Sequence, residues 1–108
     1  MYAFFPLNDV IARNAQTVAG NASTLYTSSA TAAKRRGVII TNCSTAANLY
    51  VCFYDAGLAA PVPSATNFDL FISGTQSATI DCTNAISFSM RNDTGAATTI
   101  DVMVTEVA

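Results

Sequence analysis

From Lys34 onward the chain alternates with a period of two, and that alternation constrains the fold more than any other feature. Ile86, Phe88 and Met90 alternate with Ser87, Ser89 and Arg91. Ile100, Val102 and Val104 alternate with Asp101, Met103 and Thr105, and Ala78, Ile80 and Cys82 with Thr79, Asp81 and Thr83. Successive side chains of a strand point to opposite faces, so each of these runs offers one apolar and one polar face to a sheet. Leu49, Val51 and Phe53 are interleaved with Tyr50, Cys52 and Tyr54, which makes both faces of that run apolar or amphipathic. Val38 to Thr41 is a β-branched run ending at Asn42, Phe68 to Ile72 is a short apolar run before Ser73-Gly74, and a weaker strand fits Thr24 to Thr27. Ser44 to Asn48 reads as a hairpin loop, and Asn92-Asp93-Thr94-Gly95 holds the residue types that accept positive φ in a turn.

About seven strands at spacings of roughly 8 to 14 residues predict an all-β fold, a single antiparallel β-sandwich of jelly-roll or Ig-like strand order. Thr and Ser number 23, and on outward strand faces they favour sheet without adding charge. With 108 residues there is room for one domain. The predicted organisation is an N-terminal arm over residues 1–22, in which Asn8 or Asp9 caps one short helical turn, and a sandwich over 23–108.

The chemistry that the chain lacks narrows its function. It has no His, which removes Ser-His-Asp and Cys-His sites and every His-ligated metal. Cys43, Cys52 and Cys82 are odd in number, widely spaced and without a C-x-x-C, so they predict free thiols and no disulfide framework. The carboxylates Asp9, Asp55, Asp69, Asp81, Asp93, Asp101 and Glu106 are isolated in sequence. Only a facing pair such as Asp69 and Asp81 would serve a glycosidase, and turn or solvated outward positions suit Asp55, Asp81, Asp93 and Asp101. No catalytic, cofactor-binding or metal-binding residue is therefore expected. With a net charge of −2, nucleic acid is not an expected partner, and no apolar run reaches the length of a membrane helix. The opening MYAFFPLNDV lacks the basic region of a secretion signal and is cut by Pro6.

Four parts of the chain suit contacts with partners. Tyr2, Phe4, Phe5 and Leu7 fall outside the strand pattern, and they either fold back over an open end of the sandwich or bury against another subunit, the use favoured here. Lys34, Arg35 and Arg36 hold three of the five cations. They read either as a contact to an acidic or phosphate-bearing partner or as a charged edge that discourages stray strand pairing. Tyr50 and Tyr54 share a strand face and are suited to packing at a core or interface, or to stacking on a sugar ring. The stretch from Gly57 to Asn67, with Pro61-Val62-Pro63, is a long connection, of the kind that carries partner contacts on rigid sandwiches.

The succession Arg36-Gly37-Val38-Ile39-Ile40-Thr41-Asn42, Leu49-Tyr50-Val51-Cys52-Phe53, Gly74 with Ala78-Thr79-Ile80-Asp81, Ile86, and Ile100-Asp101-Val102-Met103-Val104-Thr105-Glu106 resembles small β-sandwich virion proteins of tailed and other bacteriophages. These are capsid decoration or cement proteins, head fibres, and vertex or tail components. The resemblance covers residues 35–106 and departs in the Cys-containing strand pair and the longer loop at 55–67. It implies a structural virion protein, assembled in a bacterial cytoplasm. The implied partners are the major capsid protein or other virion proteins, and a second copy of itself in a trimer or pentamer. Only 11% of residues are charged, which suits a surface largely buried in subunit contacts. The alternative is a receptor- or glycan-binding spike or fibre module using Tyr50, Tyr54 or the 55–67 loop.

Overall fold

A computed structural model describes residues 10–20, 22–26, 34–92 and 99–108. Eight strands run in order: β1 (Val10–Val18), β2 (Thr24–Leu25), β3 (Gly37–Asn42), β4 (Leu49–Asp55), β5 (Leu70–Ile72), β6 (Ser77–Asp81), β7 (Ile86–Asn92) and β8 (Ile100–Val107). They form two four-stranded antiparallel sheets, β1-β8-β3-β6 and β2-β7-β4-β5. The first strand thus pairs with the last, the second with the seventh, the third with the sixth and the fourth with the fifth. That nested pairing is a long hairpin rolled into two layers, the jelly-roll order. Of the two strand orders that the sequence allows, the Ig-like one is thereby excluded.

The alternation places the core where it was expected. Val38 and Ile40 of β3, Leu49 and Val51 of β4, Phe88 and Met90 of β7, and Val102 and Val104 of β8 point between the sheets and are buried. Phe88 is the centre of the aromatic packing: Tyr26 stacks on it with centroids 4.7 Å apart, and Phe53, its register partner across β4 and β7, lies 5.9 Å away.

One expectation is corrected. Val10–Val18, assigned from sequence to an arm with a helical turn, is a nine-residue strand at the edge of the first sheet, so the strands among the described residues number eight. The pattern is hidden because Asn14 and Gln16 occupy the inward parity that ends at buried Val18. A register shift between Val10 and Ala12 also breaks the period at the other end. The sandwich therefore begins by Val10, well before the boundary placed at residue 23.

Polar side chains fasten the strand ends. Asn42 is fully buried; its Nδ2 donates to the carbonyls of Ala47 and Ile72 (2.9 and 3.1 Å), and its Oδ1 accepts from the Ser44 amide. It ties the β3–β4 loop to β5. Asn92 does the same between the sheets, donating to the Val18 carbonyl at 2.8 Å. Gly74 allows the β5–β6 turn to approach that loop, since a Cβ there would stand 2.9 Å from the Ser44 carbonyl oxygen.

Candidate interaction face and buried charge network

The side chain of Arg35 turns into one end of the sandwich, only 1% exposed, while Lys34 and Arg36 are exposed. The expected three-residue basic cluster is thus reduced by one, because Arg35 has buried partners. Its guanidinium donates to the carbonyls of Cys82, Thr83 and Ile86 at 3.3, 2.5 and 2.5 Å, and its Nη1 lies 3.7 Å from Glu106 Oε1. The three carbonyls line the turn that passes from β6 in one sheet to β7 in the other. A charged fork that meets several acceptors at once suits Arg and no other side chain.

Glu106 is the partner that sequence reasoning missed. It sits on β8, fully buried, and accepts hydrogen bonds at Oε2 from the Tyr26 hydroxyl and from Asn14 Nδ2. Asn14 also donates to the Tyr26 hydroxyl oxygen at 2.7 Å. Asn14 and Glu106 belong to the first sheet, and Tyr26 continues the second, its amide bonded to the Phe88 carbonyl. The network therefore locks the two layers together at one end. Its signal was in the sequence: Glu106 follows Ile100, Val102 and Val104 at the same parity, which is the inward one.

Burial, reinforced by the hydrogen bond to Glu106, pushes the Tyr26 hydroxyl well above its ordinary value of 10.0. The folded state therefore favours the protonated phenol, and this contribution is fully present below pH ~10 and lost as pH rises above it. In denaturant unfolding from about pH 8 to about pH 11, stability should fall at the alkaline end. The Tyr26→Phe variant, weaker by about 1–3 kcal/mol for want of the donor, should lose less over the same range.

All three cysteines are free. Cys43 is exposed, whereas burial raises the thiols of Cys52 and Cys82 above their ordinary value. A thiol reagent should modify exposed Cys43 first in the native protein, half-buried Cys82 more slowly, and Cys52 only on unfolding. Rapid native labelling of Cys52 would show that the connection over it opens.

The two outer faces differ in character. Across the first sheet the outward rows run Arg13, Thr105, Ile39, Thr79 and Ala15, Met103, Thr41, Ser77. These side chains are mostly small or polar. Across the second sheet, Tyr50 is flanked by its register partners Phe71 and Arg91. Phe68 joins them, 5.3 Å from the Tyr50 ring and 6.2 Å from that of Phe71. Phe68 and Phe71 are each 43% exposed. Tyr50 and Tyr54 were expected to act together as ligand- or interface-facing residues; Tyr50 meets Phe68 and Phe71 instead, and Tyr54, further along the same face, belongs to none of these ring contacts.

The long connection between β4 and β5 is laid over this face. Ser89 Oγ donates to the Pro61 carbonyl at 2.7 Å, and the Cys52 thiol to that of Asn67 at 3.4 Å. This cover explains why Cys52 and Ser89 are buried although their parity points outward. Leu25, paired with Ser89, is 52% exposed on the same face, and Leu58 and Val62 stand 66% and 56% exposed on the connection. Of the exposed large apolar side chains among the described residues, all but Val10 lie on this face or the connection over it.

The two carboxylates weighed as a catalytic pair are divided between the sheets. Asp69, just before β5, accepts the Phe53 amide at 2.9 Å and so continues the edge of β4, while Asp81 ends β6 in the first sheet. Tyr2, Phe4, Phe5 and Leu7 lie outside the described residues. No helix among the described residues is long and apolar enough to cross a membrane. Comparison with protein-family models, with curated proteins and with solved structures finds no match, so what the chain resembles is known at the level of its fold, a jelly-roll β-sandwich.

Proposed function

We propose that this chain is a structural component of a bacteriophage virion, a capsid decoration, cement or vertex protein. In this reading it attaches through the outer face of the β2-β7-β4-β5 sheet. The observation that carries the reading is the uneven surface: Leu25, Leu58, Val62, Phe68 and Phe71 are exposed on this face or on the connection over it, while the opposite face is mostly small or polar, with Ile39 and Met103 half-buried in it. Contiguous exposed apolar side chains mark protein contact surfaces, and aromatic anchors dominate such contacts. Jelly rolls recur in viral capsids, but a fold alone does not assign a role. The virion assignment adds the resemblance of residues 35–106 to phage sandwich proteins. The role is mechanical and needs no catalytic group or cofactor; its partners are shell proteins and further copies of the chain.

The Tyr50–Phe68–Phe71 group also favours one second reading, a saccharide-binding spike or fibre module, because jelly rolls serve as lectins and aromatic faces stack on sugars. One comparison separates the two. The full chain should co-sediment with purified shells of the phage whose genome carries this sequence, and Phe68→Ser/Phe71→Ser should weaken that binding at least about tenfold. Binding to a glycan array and not to shells would replace the first reading with the second.

A further inference from the structure

We infer that the aromatic strip formed by Tyr50, Phe68 and Phe71 receives the apolar segment Tyr2–Leu7 of a second copy of this chain. The inference rests on reading this face as a protein contact surface, and it names the partner.

The geometry excludes the same chain's own segment as the occupant. β1 and β2 share one lateral edge of the sandwich, where Asn14 meets Tyr26 and Thr24 Oγ1 reaches the Thr17 carbonyl. β5 and β6, joined by the short turn at 73–76, share the other edge. Lengthwise, Asn92 binds the Val18 carbonyl and pairs with Leu49, so Tyr50 lies near the Val18 end of β1. Val10 is at the opposite end, paired with Val107. The segment that precedes Val10 thus starts at the far corner from the strip and in the other sheet. The strip lies about 20 Å away along the strands, two strand spacings of about 4.8 Å across to Tyr50 and three to Phe71, and a sheet's depth of about 10 Å behind. Phe5 and Phe4 stand only five and six residues before Val10, a reach of at most ~17–21 Å fully extended, which falls short of the strip. A neighbouring molecule has no such limit.

The chemistry of the two parts matches. Residues 1–8 carry three aromatics and a leucine with no charged side chain. The strip offers two rings at 43% exposure beside Tyr50, and the carboxylate of Asp69, next to Phe68 in the chain, already accepts the Phe53 amide. A contact between two different surfaces of the same chain is heterologous, and it repeats around a closed ring when the rotation permits. The trimer or pentamer implied by the resemblance would then follow from a single kind of contact.

The test uses the full chain and two double variants in sedimentation velocity. Wild-type protein should self-associate. Phe4→Ser/Phe5→Ser, which spoils the segment, and Phe68→Ser/Phe71→Ser, which spoils the strip, should each raise the dissociation constant at least about tenfold. Mixed together, they should form heterodimers and nothing larger, since one supplies the intact segment and the other the intact strip. A monomeric wild type, an unweakened variant or a mixture that stays monomeric would each overturn the inference. Should the strip double variant lose its β-type circular dichroism, Phe71→Gln alone supplies the same comparison. A monomer that still decorates shells would remove this contact and leave the attachment reading intact.

Discussion

Replacing Arg35 by Ala should cost about 3–5 kcal/mol and lower the melting midpoint by at least ~12 °C, a large share of the stability of so small a domain. The loss has two parts. Buried Glu106 would lose the cation 3.7 Å away, and the carbonyls of Cys82, Thr83 and Ile86 would lose their donor. Both residues are buried, so water can stand in for the guanidinium only by entering the space it leaves. Glu106→Gln should cost less, since an amide still offers Tyr26 an acceptor. The check is equilibrium unfolding of both variants. An Arg35→Ala protein as stable as wild type would show that the network is not what holds the sheets together at this end.

Phe88→Ala should be comparably damaging, at about 3–5 kcal/mol, for a different reason. Phe88 is fully buried between the stacked ring of Tyr26 and the tilted ring of Phe53, so truncation leaves a cavity that neither neighbour can fill without leaving its own place. The same variant loosens Tyr26 and with it the hydroxyl that meets Glu106. Phe88→Ala and Tyr26→Phe should therefore be non-additive in a double-mutant cycle, whereas Phe88→Ala and a substitution at exposed Lys34 should add.

The strands β3, β4, β7 and β8 are legible because their inward positions are filled by Val, Ile, Leu, Phe and Met, with mostly Ser, Thr or Asp between in β7 and β8 and mostly β-branched or aromatic residues between in β3 and β4. β1 is illegible for the converse reason. Its inward positions are Ala12, Asn14, Gln16 and Val18, and the value of Asn14 depends on Tyr26 and Glu106, which are distant in sequence. The same rule explains the missed site residues. Asn42, Asn92 and Glu106 each stand at the end of an alternating run with the parity of its apolar members. A polar residue there is either a misplaced surface position or a buried anchor, and only the partners decide. For Arg35, adjacency to Lys34 and Arg36 suggested a surface cluster, because charge runs carry no sign of which member turns inward. On the outer face, Tyr50 was readable from strand parity. Phe68 and Phe71 were not, since their meeting with Tyr50 depends on the pairing of β4 with β5 across a long connection.

The virion reading makes this jelly roll a repeated part of a phage shell, held by the outer face of its second sheet. A reconstruction of particles assembled from the genome that carries this sequence tests that reading most directly. The predicted result is density for an eight-stranded sandwich at many equivalent positions, with Leu25, Phe68 and Phe71 against neighbouring protein and Arg13 and Thr79 towards solvent. Particles with no such density, or density with the two faces reversed, would contradict it.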